Sequence, residues 1–290
     1  MSVPDWRLPR GVSRSVWEFA HDRGIARDEE RHLADAPLLE FDRETVARWF
    51  ATSGKLIDLG CGTGRALAEF SGRGFECVGI DISRESLAVA AERIAESKLP
   101  VPLMQANLCD LDCLNDSQFD YALLLFGTLG MVSGREHRRQ VLEHARRILK
   151  PGGLLALHVH NVWRHLFSPQ GRRWLACDLV KRLVGNPTAG DTEHDYRGIP
   201  RMYHHSFTRG ELRRLLRDCG FKIREMIPLA PLDDRKVSAA AGLPDRTADL
   251  KSRGWFCNLR ATGWLVLAET LRSEDSAARA LAGRASSARP

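Results

Sequence analysis

Three glycines at alternate positions, Gly60, Gly62 and Gly64, follow a short apolar run that ends in Asp58. Glycine has no side chain, so the backbone can adopt positive φ there and pass close to a ligand. A helical pattern begins at Arg65 and points its free N–H groups and positive dipole end at the turn, which favours a carboxylate or a phosphate. The stretch predicts a strand, a ligand-binding turn and a helix.

Asp81 is the second group that could bind a ligand, because it ends another apolar run twenty-one residues after Gly60. An acidic side chain at the end of a second strand can accept hydrogen bonds from the hydroxyls of a ribose. Together with the glycine turn, it indicates a nucleoside with an acidic tail. Dinucleotide-binding enzymes use the spacing G-x-G-x-x-G, whereas this chain has Arg65 where the third glycine would fall.

Residues 58–64, Asp-Leu-Gly-Cys-Gly-Thr-Gly, closely resemble motif I of the class I S-adenosylmethionine-dependent methyltransferases, which have a Rossmann-like fold. The segment 119–121 resembles the start of the fourth strand in that family, and Leu-Lys-Pro-Gly-Gly at 149–153 resembles the turn before its fifth strand. These signals follow one another in the family's order. The chain therefore resembles a methyltransferase of type 11 or 25, and the resemblance implies S-adenosyl-L-methionine as the cofactor.

The resemblance also implies roles for individual residues. The glycine turn would hold the methionine end of the cofactor and Asp81 its ribose, while Asp58 would support the turn and the cofactor's amino group. Where the family usually has an acid facing the adenine amino group, this chain has Asn107, whose amide oxygen accepts the same hydrogen bond more weakly. Asp110 is the alternative. The expected cofactor contacts are Asp58, Gly60, Cys61, Gly62, Gly64, Asp81, Ile82, Asn107, Leu108 and Phe126.

Histidines cluster near the predicted pocket. His158 and His160 alternate at the end of the predicted fifth strand and so share a face of the sheet, and His204 and His205 precede a late helix. A hydroxyl or ammonium acceptor must lose a proton, and a histidine with a pKa near neutrality can take it. We expect His160 to be this catalytic base. Zincin spacing and a cysteine partner set are both missing from the sequence, so we expect no metal site.

Apolar runs and helical patterns alternate along the chain. Strand-like runs occur at 56–59, 76–80, 102–105, 121–126 and 154–159, and two more occur at 222–228 and 264–269. This alternation predicts an α/β fold with a doubly wound, mostly parallel sheet of seven strands. In such a sheet, ligands bind at the carboxyl ends of the strands.

Two additions distinguish the chain from a minimal domain of this type. We expect residues 1–50 to form an N-terminal helical cover and residues 161–206 to form a lid inserted after the fifth strand, within a methyltransferase domain that spans 51–270. Connections of this length in compact domains are usually functional. Residues 15–21 resemble an aromatic helix that closes over the cofactor, with core packing of its aromatic rings as the alternative. Residues 271–290, rich in Ala, Ser and Arg, predict a disordered tail.

Composition narrows the class of protein. The chain has 290 residues, no apolar stretch long enough to span a membrane, and seven cysteines without a C-x-x-C pair. We therefore expect a cytoplasmic protein with reduced thiols and no membrane contact.

The distribution of charge leaves RNA open as a substrate. The net charge is +6, and residues 135–182 hold eleven basic against three acidic side chains, which could bind phosphates. Residues 203–212 partly resemble a segment of transfer-RNA wobble-uridine methyltransferases. Against this reading, Thr208 and Glu211 form an ordinary capping-box pattern for a helix. The arginines at 138, 139, 146 and 147 also lie opposite an apolar stripe, as on a solvated helix face.

Three hypotheses remain at the level of sequence. The first is a methyltransferase that acts on a small molecule by in-line displacement in a covered pocket, where positioning is the main catalytic device. The second is an RNA methyltransferase, acting on transfer RNA, that uses an open pocket and its basic face. The third is a non-catalytic scaffold that binds S-adenosylmethionine without transferring its methyl group.

Overall fold

The computed structural model describes residues 3–33, 37–97, 100–229 and 259–271. It has a central sheet of seven strands in the order β3-β2-β1-β4-β5-β9-β8 and a separate hairpin of β6 and β7. The strands are Lys55–Leu59 (β1), Glu76–Asp81 (β2), Leu103–Gln105 (β3), Phe119–Leu124 (β4), Leu149–His160 (β5), Asp191–Tyr196 (β6), Ile199–His205 (β7), Phe221–Leu229 (β8) and Gly263–Thr270 (β9).

Helices cover both faces of this sheet. The α-helices are Arg14–Ala20 (α1), Arg23–Leu33 (α2), Pro37–Trp49 (α3), Arg65–Gly72 (α4), Arg84–Ser97 (α5), Thr128–Met131 (α6), Arg135–Ile148 (α7), Pro169–Leu183 (α8) and Arg209–Asp218 (α9). Short 3-10 helices occur at Asp5–Arg7 and Val162–Phe167. Within the described ranges, every helix is too short or too polar to cross a membrane.

The predicted α/β fold with a mostly parallel seven-stranded sheet is confirmed. Strands β1 to β5 run parallel, and β9 lies antiparallel between β5 and β8. The strand order reverses at β1, which pairs with β2 on one side and β4 on the other. This point of reversal is where open α/β sheets bind their ligands.

Three predicted strand boundaries were wrong. Strand β4 begins at Phe119 rather than Tyr121. It ends at Leu124 instead of continuing to Phe126, because Phe126 has a φ of +54° that is incompatible with an extended strand. Strand β5 begins at Leu149 rather than Leu154, because Leu149 already pairs with Phe119 before the Pro-Gly-Gly turn. The remaining strands start and end within one residue of their predicted bounds. The predicted tail falls, apart from its first residue, outside the described residues.

Strand β5 shows why the sequences of the strands are continuous apolar runs. Leu155, Leu157 and Val159 face the core cluster that contains α7 and α9, whereas Ala156 faces the opposite cluster with α3, α4 and α5. A strand covered on both faces needs apolar residues at successive positions, since there is no solvated side. Each fully buried Leu or Val contributes about 1.5–3 kcal/mol relative to an exposed one.

The inserted segment leaves and rejoins the sheet at one place. The Phe207 N–H donates to His160 O at 2.9 Å, and the Val162 N–H donates to Phe207 O at 2.9 Å. The buried Asn161 side chain donates to Ala261 O at 2.8 Å beside this junction. The segment between, which contains the 3-10 helix Val162–Phe167, α8 and the β6–β7 hairpin, is therefore anchored at both ends to the carboxyl end of β5.

The N-terminal helices pack against this inserted segment. A small apolar cluster unites α1 and α2 with the β6–β7 hairpin; its buried members are Val16, Ile25, Ile199, Met202 and Tyr203. The Tyr203 N–H also donates to Ser15 Oγ at 2.9 Å. Phe19 packs against the same cluster, with its ring centroid 5.9 Å from that of Tyr196. The two additions therefore pack against each other through one shared cluster, and their role as a cover stays a prediction.

One expectation about the basic face of α7 was wrong. Arg138 was expected on a solvated face but is buried, and its guanidinium donates to Val132 O at 3.0 Å and to Tyr203 Oη at 2.9 Å. Its acidic neighbour, Asp191 at 3.6 Å, belongs to the inserted segment, which helical periodicity within α7 does not show. Arg139 and Arg146 are exposed, as expected.

Helix α9 begins with the predicted capping box. A substitution in this box can measure how much the local sequence stabilises the fold. Thr208 Oγ1 accepts the Glu211 N–H at 3.1 Å, and Glu211 Oε2 accepts the Thr208 N–H at 3.4 Å. We expect Thr208→Ala to lower the free energy of unfolding by about 1 kcal/mol, measured by urea denaturation, because it removes the capping oxygen. Thr208→Ser keeps that oxygen and should lose much less. An equal loss in both variants would assign the effect to the methyl group instead.

Candidate functional site

The turn between β1 and α4 has positive φ at each of its three alternate glycines. Gly60, Gly62 and Gly64 have φ values of +85°, +51° and +74°. A Cβ on Gly60 would lie 2.6 Å from Thr128 Cγ2, and one on Gly64 would lie 2.9 Å from Ala90 Cβ. The turn is therefore held in positive φ, with neighbouring elements in close contact beneath it.

Asp81 is fixed beside this turn at the end of β2. Its Oδ2 accepts the Gly62 N–H at 2.8 Å, and its Oδ1 accepts the Ser83 N–H at 2.8 Å. Burial raises the pKa of Asp81, although the N–H groups of Ser83, Gly62 and Ile82 act in the opposite direction. The carboxylate is thus preorganised in the position where the sequence predicts a ribose.

Asp58 lies beneath the turn and is only 4% exposed. Burial, and to a lesser extent the nearby charge of Asp81, raise the pKa of Asp58 to about 7. None of the arginines and lysines in the described residues offsets this cost. A ligand ammonium group placed beside Asp58 would supply the missing positive charge.

Three other predicted cofactor contacts are buried or half-buried side chains near the turn: Cys61, Ile82 and Leu108. The Cys61 side chain is buried, and burial followed by the charges of Asp58 and Asp81 raises the pKa of its thiol, which makes it a poor nucleophile. Ile82 is half-buried after β2. The Leu108 side chain packs in the main core, so a ligand would meet its backbone.

Asn107 and Asp110, the two candidates for an adenine contact, lie together after β3. Asn107 Nδ2 donates to Asp110 Oδ2 at 3.0 Å and to Arg10 O at 2.9 Å, while its Oδ1 accepts the Cys109 N–H at 3.1 Å. Asp110 forms an ion pair with Arg10. Both side chains therefore attach the N-terminal segment to this corner, and the choice between them stays a prediction.

Helix α2 crosses above the glycine turn, and no local sequence pattern predicts this position. Arg65 Nη2 donates to Glu29 O at 2.8 Å, and Arg197 Nη2 donates to Ile25 O at 3.0 Å. Burial raises the pKa of the Glu29 carboxyl, while the charges of Arg65 and Arg197 lower it. A Cβ on Gly62 would lie 3.8 Å from Glu29 Oε1, so this carboxyl faces the turn.

The turn after β4 brings the aromatic and histidine side chains together. Phe126 is 40% exposed, and its ring meets that of His158 at 6.4 Å in a T-shaped arrangement. A Cβ on Gly127 would lie 3.1 Å from His160 Cε1, and one on Gly130 would lie 2.5 Å from His204 Cε1. Glycine at these two positions makes room for the histidines.

His160 and His204 form a neutral pair. His160 Nδ1 lies 2.8 Å from His204 Nε2. Burial, followed by His204 and Arg164, holds the pKa of His160 well below its ordinary value. Burial and then Arg164 lower the pKa of His204 to about 3. Both rings are therefore uncharged near neutral pH, and the role of His160 as a catalytic base stays a prediction.

His158 has a partner that sequence reasoning missed. Its Nδ1 lies 2.7 Å from Oδ2 of Asp42, which is completely buried on α3. Asp42 Oδ1 has no hydrogen-bond partner within the described part of the chain. The available signal was the position of Asp42 on the apolar stripe of α3, one turn before the buried Val46.

His205 does not belong to the pocket, although it follows His204 in sequence. It is completely buried, with Nδ1 2.7 Å from Asp191 Oδ1 and Nε2 2.8 Å from Glu211 Oε1. Burial alone would raise the pKa of Glu211, but His205 and Arg182 outweigh it and hold that pKa at about 2. His205 on β7 is therefore linked to β6 through Asp191 and to α9 through Glu211, with a carboxyl group as each partner. Across the described residues, no group of three or more His, Cys, Asp or Glu side chains is arranged to hold a metal ion.

Comparison with known families places residues 56–153 in the family described as "Methyltransferase domain". The protein YqeM of Bacillus subtilis is 28% identical over 146 residues, which cover 49% of this chain and 56% of that protein. The ubiquinone/menaquinone biosynthesis C-methyltransferase UbiE of Burkholderia mallei is 32% identical over 119 residues, which cover 39% of this chain and 46% of the relative. The chain thus spans about half the length of the curated relatives it matches.

Solved structures show the same fold at low sequence identity. An S-adenosylmethionine-dependent methyltransferase from Methanosarcina mazei superposes with a TM-score of 0.59 at 21% identity, covering 79% of this chain and 98% of that one. A 1,6-didemethyltoxoflavin-N1-methyltransferase from Burkholderia thailandensis, with bound S-adenosylhomocysteine, gives a TM-score of 0.56 at 15% identity. The superposition covers 86% of this chain and 84% of that one.

The burial of His204 predicts a dependence of stability on pH. In the unfolded chain His204 takes up a proton below about pH 6.5, whereas in the folded chain it does so only near pH 3. The contribution of neutral His204 to the free energy of unfolding is therefore fully present above about pH 6.5. It is lost as the pH falls toward 3, with a slope of up to ~1.4 kcal/mol per pH unit. We expect His204→Asn to show a shallower slope in urea denaturation between pH 6.5 and 4. An unchanged slope would contradict the burial of a neutral His204.

Proposed function

This chain belongs to the class I S-adenosylmethionine-dependent methyltransferases, and we propose that it transfers a methyl group to a small-molecule acceptor held beneath the inserted segment. The observation that supports this best is the apolar cluster that the N-terminal helices share with the β6–β7 hairpin. We infer that these two elements together cover one compartment at the carboxyl ends of the strands.

The described residues fit the cofactor at three points. The glycine turn holds its backbone in positive φ and leaves room at Gly62, where a Cβ would lie 3.8 Å from Glu29 Oε1. Asp81 presents a fixed carboxylate, and no arginine or lysine of the described residues offsets the burial of Asp58. We infer that these groups hold the methionine end, the ribose and the amino group respectively. When bound, S-adenosylmethionine supplies an electrophilic methyl group on a sulfonium centre.

The pocket supplies positioning and protection from water. Phe126 and the His160–His204 pair line the turn after β4, next in the sheet to the strand that carries the glycine turn. Holding two reactants in a reactive geometry can provide about 7–11 kcal/mol of the barrier. A cover that excludes water also strengthens every electrostatic contact inside the pocket.

His160 would contact the acceptor through its Nε2, because its Nδ1 is bound to His204. A histidine with a strongly lowered pKa is a weak base. We infer that it takes a proton only from an acidic acceptor group, such as a phenol or an enol, and otherwise orients the acceptor by hydrogen bonding. The catalytic assignment therefore depends on the acidity of the acceptor.

A small-molecule acceptor also agrees with the relatives. The names of two of them, a toxoflavin-precursor N-methyltransferase and a quinone-biosynthesis C-methyltransferase, refer to small ring compounds. The RNA hypothesis has less support because the basic face of α7 is largely occupied. Arg138 is buried, Arg139 pairs with Glu143 at 2.8 Å, and Arg147 pairs with Asp116 at 2.6 Å.

The test of the proposed function is the transfer of labelled methyl from S-adenosylmethionine into fractions of a lysate from the source cells. We expect label in the small-molecule fraction. Label in RNA would replace this proposal with the second hypothesis. Confirmed cofactor binding without label in the small-molecule, RNA or protein fraction would favour the non-catalytic scaffold.

The assignment of Asp81 predicts the effect of its removal. We expect Asp81→Ala to weaken the binding of S-adenosylhomocysteine about 10- to 100-fold in calorimetric titration, because hydrogen bonds to a charged group are lost. Asp112→Ala removes an exposed carboxylate instead and should bind as the wild type does. Equal affinity in the wild type and in Asp81→Ala would refute the ribose assignment.

A further inference from the structure

Asp42 and His158 form a buried pair that the proposed reaction does not yet use. Asp42 Oδ2 lies 2.7 Å from His158 Nδ1, and the two side chains are 0% and 3% exposed. The described part of the chain gives the Asp42 carboxyl no other partner, so its second oxygen, Oδ1, is left without a hydrogen bond. An unsatisfied buried oxygen is costly, and catalytic sites are among the places where proteins retain one.

The contacts of His158 fix the orientation of its ring. Because Nδ1 faces Asp42 on α3, the other ring nitrogen, Nε2, points away from that carboxyl. A Cβ on Gly263 would lie 3.3 Å from Nε2, and Gly263 pairs with His160, the last residue of β5. Nε2 therefore lies level with the carboxyl end of the strand, in space that the missing side chain of Gly263 leaves open.

Nε2 of His158 is able to accept a proton. It has no hydrogen-bond partner among the described residues, and unlike Asp42 Oδ1 it is not one of the unpartnered atoms closed off from solvent. A carboxylate only accepts hydrogen bonds, so the hydrogen belongs on Nδ1 and the lone pair of the neutral ring on Nε2. His160 differs, because its Nδ1 is bound to the ring of His204 and not to a carboxylate.

Phe126 connects His158 to the cofactor half of the pocket. Its ring is 40% exposed and meets the His158 ring at 6.4 Å. Its φ of +54° is strained for a bulky residue, and strain of this kind concentrates at functional sites. Strand β4 lies between β1 and β5 in the sheet, so the turn that carries Phe126 stands between the glycine turn and His158.

We propose that His158, held by Asp42, is the catalytic base that takes the proton from the methyl acceptor. This inference rests on the proposed function, because it concerns the acceptor in the same pocket. Asp42 is the positioning residue: it selects the tautomer of His158 and balances the imidazolium that forms. His160, bound to His204, then orients the acceptor by hydrogen bonding.

The proton leaves the acceptor in the same reaction in which the methyl group arrives. The bond between the acceptor atom and its hydrogen breaks, and the proton binds to the lone pair of His158 Nε2. The electron pair of that bond stays on the acceptor atom and bonds to the methyl carbon, while the pair of the carbon–sulfur bond leaves with sulfur. One positive charge is lost at the sulfonium and one appears on His158 beside the Asp42 carboxylate. Because the total charge is unchanged, the step suits a pocket closed to water and hydroxyl or N–H acceptors that do not ionise unaided.

The inference is tested by the rate at which labelled methyl enters the small-molecule fraction of the lysate. We expect His158→Gln to lower this rate about 100-fold or more and Asp42→Asn to lower it about tenfold or more, with the affinity for S-adenosylhomocysteine unchanged in calorimetric titration. Added imidazole should restore part of the rate in His158→Ala, because it can fill the vacated space and accept the proton. The matched control is His137→Gln, the same change at a half-buried histidine on α7, which should transfer methyl as the wild type does.

Nitrogen-15 NMR of histidine-labelled protein adds a readout that a merely structural role would not move. At the pH of the assay we expect hydrogen on Nδ1 of His158 and none on Nε2 in the wild type. Asp42→Asn should shift the hydrogen to Nε2, because an amide NH₂ can donate to Nδ1. Hydrogen on Nε2 in the wild type would overturn the inference even if His158→Gln fails to fold. So would a wild-type rate in a folded His158→Gln, whereas a wild type that transfers no label counts against the proposed function instead.

Discussion

A chain of buried and half-buried charges joins the inserted segment to helices α7 and α9, and the placement of that segment depends on it. Arg138 on α7 reaches Asp191 on β6, Asp191 and Glu211 enclose His205, and Glu211 also accepts from Arg182 on α8. Removing one partner from a buried ion pair commonly costs about 3–5 kcal/mol, because the other charge is left without compensation. Arg138 is the fully buried arginine of the chain of charges, so its pairing with Asp191 is the contact most exposed to that penalty. The inserted segment is therefore positioned by ion pairs as well as by apolar packing.

The two halves of the pocket handle charge in opposite ways. Beside the glycine turn, burial raises the pKa values of the Asp58, Asp81 and Glu29 carboxyls. Beside the turn after β4, burial lowers the pKa values of His160 and His204, so both rings are neutral. A cationic methyl donor would therefore meet a complementary environment at the glycine turn and an uncharged one at the histidines.

Local sequence patterns were enough to predict much of the fold and the cofactor turn. The contacts between residues far apart in the sequence could not be predicted in this way. The glycine spacing at Gly60–Gly64 and the Thr208–Glu211 cap each depend on residues within one turn of chain. By contrast, Asp42 meets His158 across 116 positions, and the partners of Arg138 come from the inserted segment. Periodicity reveals which face of an element is buried, but it does not identify what lies on the other side.

The contact between Ser15 and Tyr203 has a consequence for how the two additions can move. It joins α1 to β7, and both elements belong to one apolar cluster. A displacement of α1 would therefore break this cluster or carry the β6–β7 hairpin with it. Motions of the N-terminal helices and of the inserted segment would then be coupled, as parts of one step, rather than independent of each other.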